Sequence, residues 1–212
     1  ARACTSGETV GCLPLDAAPI PLDYGKSRGG LLRVDHYGTG DRHLVLEGGA
    51  SGFESGTAFF SGLGRFAAVN ENRAWLRTRF EGARWSAQAV YDSREAETLS
   101  LTAGTASFLD SSRLALDAQA WASVSDGRGH LVGGVSYRRE SIDTAGPDGR
   151  QTLMAEAVEP DFRAVFGEMD LSLGDGLDAY VSLRWDDGSL YDPQVSTRAS
   201  LLVRTGRQST LR

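Results

Sequence analysis

Residues 178–187 alternate strictly between apolar and polar side chains. The apolar row is Ala179, Val181, Leu183 and Trp185. Successive side chains of a β-strand point to opposite faces, so this period of two predicts a strand with one apolar and one charged face. Such a strand fits two different environments. In a soluble β-sandwich the apolar face meets a dry core, and in a membrane barrel it meets lipid while the charged face lines a wet interior.

The same period recurs along the chain and predicts an all-β protein, an antiparallel up-and-down sheet of about ten strands. Helical periodicity is weak: residues 92–101 contain helix formers, but their apolar spacing does not persist over three turns. The predicted strands cover residues 31–37, 43–51, 64–69 continuing into 74–80, 84–91, 113–124, 129–141, 162–173, 177–187 and 194–204, and a further strand starts at 209.

The connections between these strands alternate in length. Short glycine-bearing turns are predicted at 38–42, 81–83, 125–129, 174–176 and 205–208. Long connections are predicted at 92–112, 142–161 and 188–193. Outer-membrane barrels have this asymmetry, with short turns at one end and long loops at the other. The clearest strands also approach the roughly 9–11 residues that cross a hydrocarbon layer, whereas soluble strands average about 5–6.

The apolar rows are small in their middle and aromatic near their ends. Trp85 and Tyr91, for example, bracket Ala87 and Ala89. A dry sandwich core needs bulky side chains to reach native packing density, whereas lipid tails fill gaps by themselves. Aromatic residues at row ends are typical of the girdles at membrane interfaces. The pattern therefore favours a membrane barrel, although a sandwich remains open. The sequence has no apolar run long enough for a transmembrane helix.

Charge and composition exclude several functions. The net charge is −6 and no basic cluster with aromatics occurs, so a nucleic-acid partner is not expected. The three histidines are scattered, and the glycine runs lack a P-loop ending, so we expect no enzyme, no cofactor and no metal site. Carboxylates interleaved with arginines favour ion-paired ladders on a wet wall over acid–base catalysis. The residues predicted to face that interior, the lumen, are Arg138, Glu168, Asp170, Arg184 and Asp186.

Cys4 and Cys12 are the only cysteines and lie in a Gly/Ser/Thr-rich stretch. Residues 1–28 are predicted to form a loop segment, and a small disulfide-closed loop in an oxidising compartment is favoured over two free thiols. The first residues match neither a signal peptide nor an initiator methionine, and the last residues start a new alternating segment. We therefore expect an internal piece of a longer chain.

Residues 29–212 resemble the β-barrel of bacterial TonB-dependent outer-membrane receptors. The resemblance rests on an ordered series of segments: "DHYGTGDRHLVLEGGASGFESG", "SYRRESIDTA", "DFRAVFGEMDLSL", "LRWDDGSLYDPQVSTRASLLV" and the closing "TLR". It implies part of a barrel of about 22 strands with a plug domain inside. The plug and the TonB-contacting box are absent from this sequence, and the predicted strands are too few to close such a barrel.

The resemblance implies energy-coupled uptake of a ferric siderophore or a similar scarce nutrient. The implied partners are TonB, the plug domain, the small nutrient and outer-membrane lipid, at the outer membrane of a Gram-negative bacterium. Arg94, Arg150 and Tyr191 are the loop residues expected to catch the ligand, and the fragment alone is expected to be inactive. Two alternatives remain: a soluble extracellular β-sandwich that binds carbohydrate or protein, and a diffusion porin without a plug.

Overall fold

The computed structural model describes residues 25–61, 64–101, 103–206 and 209–211, which form one ten-stranded sheet. Each strand pairs antiparallel with its neighbours in the chain, so the order in the sheet is the order in the sequence. The predicted up-and-down antiparallel sheet is therefore confirmed. The strands are β1 Lys26–Tyr37, β2 His43–Ser61, β3 Gly64–Gly82, β4 Trp85–Ser100, β5 Thr105–Val124, β6 Gly129–Asp143, β7 Asp161–Gly174, β8 Leu177–Gly188, β9 Tyr191–Gly206 and β10 Ser209–Leu211.

The strands are longer than the predicted segments. The two pieces predicted at 64–69 and 74–80 are one continuous strand, β3, and β1 begins at Lys26 rather than near residue 31. The tight turns at 38–42, 83–84, 125–128 and 175–176 lie where glycine-bearing turns are predicted, at one end of the sheet. In the turn at 83–84, for example, the carbonyl oxygen of Arg84 accepts the backbone N–H of Trp121 in β5, at 2.9 Å.

Two of the predicted long connections are wrong. Residues 92–112 are mostly strand, because β4 runs on to Ser100 and β5 already starts at Thr105. Residues 188–193 are also mostly strand, and only residues 189 and 190 separate β8 from β9. Both segments are polar, but their backbone groups continue the ladder of paired strands, which does not depend on apolar side chains. Residues 144–160 do form a long connection, as predicted for 142–161.

Register divides the side chains between two faces. Residues that lie opposite each other in paired strands share a face, so the pairing traces each face across the whole sheet. We call one the polar face, which carries the even residues of β6 and β7. The other, the apolar face, carries their odd residues and the row that runs from Ala179 to Trp185 in β8.

The large side chains of the apolar face are exposed. Leu32 at one edge of the sheet is 70% exposed, and Val165 and Leu183 in the middle are 51% and 54% exposed. Buried apolar residues among the described ones are few and small: Val45, Ala67 and Ala164. Within the described residues, a single sheet without a second layer cannot cover its own apolar face. None of the described residues forms a helix long and apolar enough to cross a membrane.

Residues 26–28, placed in the predicted loop segment 1–28, belong to β1. The rest of that segment, with the predicted Cys4–Cys12 pair, lies outside the described residues, apart from Gly25.

Candidate functional site

The five residues predicted to face the lumen lie on one face of the sheet. Glu168 is opposite Ser182, and Asp170 is opposite Tyr180 in the β7–β8 pair. Arg138, Arg184 and Asp186 share that face by the same register. The structure thus brings all five predicted positions onto the polar face, spread over β6, β7 and β8.

Ion pairs on this face run along strands as well as across them. Arg184 contacts Asp186 two residues on, with Nη2 to Oδ1 at 2.8 Å. Arg138 pairs with Glu140 at 3.2 Å, and its guanidinium lies 4.3 Å from the ring centre of Phe162. Residues two apart in a strand point to the same side, which makes such pairs possible. Glu168 and Asp170 form no ion pair with a described residue.

Strands β1 to β3 carry a cross-strand network. The carboxylate of Glu47 lies between two guanidinium groups, 3.3 Å from Arg33 and 2.9 Å from Arg77. Such alternation of charge across neighbouring strands is the ladder that the sequence predicts. These side chains are partly exposed, so solvent screening weakens each of these ion pairs.

An imidazole lies between two carboxylates near the short-turn end of the same face. His43 Nε2 is 3.1 Å from Asp35, and its Nδ1 is 3.4 Å from Glu81. The ring stacks on Tyr37, with 4.3 Å between ring centres. This cluster does not amount to a metal site, since no group of three potential ligands suited to a metal occurs among the described residues.

The connection 144–160 is fixed to the sheet by hydrogen bonds. Thr144 is 2% exposed, and its hydroxyl donates to Oε1 of Gln151 at 2.6 Å. Gln151 in turn donates from Nε2 to Asp143 at 2.8 Å. The hydroxyl of Thr152 accepts the backbone N–H of Phe108 in β5 at 3.0 Å. The connection is therefore an ordered rim with defined contacts to β5 and β6.

The structure corrects two of the three predicted loop residues. Arg94 lies inside β4, where its Nε is 2.9 Å from Glu71. Tyr191 is the first residue of β9, and its ring centre is 5.9 Å from that of Phe162. The hairpins continue as paired strands beyond the apolar band, so residues expected in loops are part of the ladder. Arg150 alone of the three lies in a connection, where it is exposed and 3.7 Å from Asp148.

Arg73 and Phe166 also lie on the polar face, and the sequence alone does not mark either of them as a functional residue. Arg73 is directly opposite Arg94, and Phe166 covers Gly134. Both relationships depend on register between strands. The sequence alone predicted which residues alternate along a strand, but contained no signal for this register.

No known family model matches the chain, and no curated protein sequence matches it significantly. Solved structures do match. The siderophore receptor PirA of Pseudomonas aeruginosa is 18% identical with a TM-score of 0.68, over 86% of this chain and 31% of that one. A mutant of the ferric enterobactin receptor PfeA of the same species is 14% identical with a TM-score of 0.59, over 88% and 32%.

PirA of Acinetobacter baumannii is 13% identical to the chain, with a TM-score of 0.58, over 86% of this chain and 32% of that one. The chain thus spans about a third of the length of these structures. At such identities the likeness shows the fold. The sheet has the fold of part of a siderophore-receptor barrel, which confirms the fold that the sequence resemblance implied.

Proposed function

We propose that the chain forms part of the wall of an outer-membrane barrel receptor that takes up a ferric siderophore or a similar scarce nutrient. In this proposal TonB supplies the energy and a plug domain fills the barrel. The shared fold with siderophore receptors supports the proposal, as does the series of similar sequence segments. Neither feature points to catalysis, and we propose no enzymatic activity.

One observation carries the membrane location: the large apolar side chains of the apolar face are exposed across the sheet. Val165, Val181 and Leu183 are all about half exposed in neighbouring strands. A soluble monomer seldom exposes a continuous apolar surface of this extent, but the acyl chains of a bilayer would cover it. Gly167, opposite Leu183, has no side chain, and a β-carbon there would meet only the Val132 carbonyl oxygen, at 4.0 Å. Lipid tails fill such a space more readily than the side chains of a second sheet would.

The polar face fits the interior of such a barrel. Many of its arginines and carboxylates form ion pairs that stay partly exposed, as expected on a wet wall. We propose that Arg138, Glu168, Asp170, Arg184 and Asp186 face the lumen and contact the plug or the passing solute. The ordered rim 144–160, with Arg150 exposed on it, is proposed to contact the ligand at the loop end, together with Arg94 and Tyr191.

The sheet by itself has two edges, β1 and β10. Every residue of β1 is exposed, and no described strand pairs with its outer edge. Unpaired backbone groups would be very costly in hydrocarbon. We therefore propose that these residues work only within a larger barrel, and that the ten strands alone neither insert as a transporter nor transport. This agrees with the chain spanning about a third of the matched structures.

The proposal is tested with the natural protein that contains this chain, produced in a Gram-negative host. We expect it in the outer-membrane fraction, and we expect it to take up radioactive iron supplied with a panel of siderophores. The control is an otherwise identical strain without TonB, in which uptake should stop. Recovery in the aqueous fraction would contradict the membrane location. Uptake that continues without TonB would favour a diffusion porin.

A further inference from the structure

A concavity of about 300 Å³ opens on the polar face, in the half of β3, β4 and β5 nearest the rim 144–160. Among the residues that line it, the charged side chains and the hydroxyl of Ser111 lie on the polar face and could bind a solute. These are Arg73, Asp92, Arg94, Ser111, Arg113 and Glu140. Three cations and two anions therefore surround one small depression.

Both carboxylates of this concavity already have cationic partners. Asp92 accepts two hydrogen bonds from Arg113, at 2.6 and 2.9 Å. Glu140 is 3.2 Å from Arg138, which lies outside the lining. Neither acid is thus available to neutralise a further arginine.

The two remaining arginines face each other. Arg73 in β3 is directly opposite Arg94 in β4. Like charges at directly opposed positions destabilise a strand pair. Glu71, on the same face, pairs with Arg94 at 2.9 Å, whereas Arg73 forms no ion pair with a described residue. One positive charge therefore stays uncompensated beside another, although most arginines of this face have partners.

We propose that the concavity binds an oxyanion group, a carboxylate or phosphate, held between the guanidinium groups of Arg73 and Arg94. A planar guanidinium donates two parallel hydrogen bonds to such a group. Ser111, directly opposite Arg94, adds a hydroxyl whose present contact with the Arg94 carbonyl oxygen is long, at 3.4 Å. The anion relieves the repulsion between the arginines and occupies the gap between them.

The source of the anion is a solute in the barrel interior. The concavity is on the face opposite the exposed apolar rows, so a lipid headgroup on that apolar surface does not reach it. This assignment of the source rests on the proposed function, in which the bound group belongs to an anionic nutrient. The anion site itself rests on the register of Arg73 and Arg94 and on the local ion pairs.

The test measures anion binding by the full natural chain in detergent micelles, using isothermal titration calorimetry with citrate and, separately, inorganic phosphate. We expect Arg73→Gln to weaken binding at least about tenfold, the effect of losing charge-assisted hydrogen bonds. Arg73→Lys keeps the charge but not the planar guanidinium, so its affinity for the anion should lie between those of the unaltered protein and Arg73→Gln. Arg79→Gln is the matched control, because Arg79 lies on the same strand and face, is paired with Glu81 and is outside the concavity.

Circular dichroism of each variant checks that the barrel has folded. Equal weakening by Arg73→Gln and Arg79→Gln would show a general charge effect and overturn the site. Absence of binding by the unaltered protein would also overturn it. Neither result touches the receptor proposal, which the TonB-dependent uptake experiment tests separately.

Discussion

Phe166 lies so close to Gly134 across the β6–β7 pair that a β-carbon at Gly134 would be 2.6 Å from Cζ of the ring. The same β-carbon would be 2.7 Å from the carbonyl oxygen of Ala118 in β5. The aromatic ring thus covers a place on the polar face where only glycine fits. The adjacent Gly133 faces the opposite side, where a β-carbon would meet only the Phe166 carbonyl oxygen, at 3.7 Å.

Gly134→Ala should therefore destabilise the barrel by about 1–3 kcal/mol, the usual cost of overpacking. The matched control is Gly133→Ala, which should be neutral or slightly stabilising, because alanine loses less entropy on folding. Urea unfolding of the natural protein in lipid vesicles, followed by tryptophan fluorescence, measures both. Equal stabilities for the two variants would mean that both the Phe166 ring and the Ala118 backbone move aside without cost.

Leu183→Arg tests which face meets lipid. Leu183 is 54% exposed in the middle of the apolar row of β8. An arginine on a lipid-facing position near the bilayer midplane costs about 2–4 kcal/mol, so assembly in vesicles should fall sharply. Ser182→Arg, one residue away on the polar face between Glu168 and Arg198, is the control and should assemble normally. If Ser182→Arg were the damaging change, the assignment of the faces would be reversed.

The faces of the sheet could be predicted from sequence because they need only a period of two. Once residues 178–187 alternate, Arg184 and Asp186 must share a side that Leu183 does not. The structure places them so, and the same holds for Glu168 and Asp170 in β7. The exposed apolar rows likewise follow from that alternation. Alternation along one strand does not predict which residue of the neighbouring strand lies opposite.

The ends of the strands and the pairing between them do not follow from the alternation of side chains. Residues 92–101 carry helix formers and few apolar residues, yet they complete a hairpin, because its backbone hydrogen bonds extend beyond the apolar band. Arg94 was accordingly expected in a loop. Nothing in the sequence marks Arg73, because its importance arises from its position opposite Arg94. That register depends on the turns and bulges of the folded sheet.

Thr144→Val should loosen the rim 144–160 without affecting the barrel. Thr144 is buried, and its hydroxyl donates to Gln151 and accepts the backbone N–H of Met154 at 3.1 Å. Valine has nearly the same shape but leaves that N–H without its partner, at a cost of about 1–3 kcal/mol. Hydrogen exchange at Met154 should become faster. Thr197→Val, an exposed position on the apolar face, is the control and should leave exchange in the rim unchanged.

Acid should loosen the same rim through Asp143, which lies beyond the apolar band at the end of β6. The hydrogen bond from the Gln151 side chain, with a second from the Ala145 backbone N–H, holds the pKa of Asp143 below its ordinary value. A lowered folded pKa stabilises the rim above the ordinary value of about 3.9, and this stabilisation is lost as the pH falls through the lowered pKa.

Hydrogen exchange of residues 144–160, corrected for the intrinsic pH dependence of amide exchange, should therefore accelerate below about pH 4. Asp143→Asn keeps an acceptor oxygen but does not titrate. In this variant the corrected exchange rates of residues 144–160 should be independent of pH in this range. Acid loosening that persists in Asp143→Asn would assign the effect to another carboxylate.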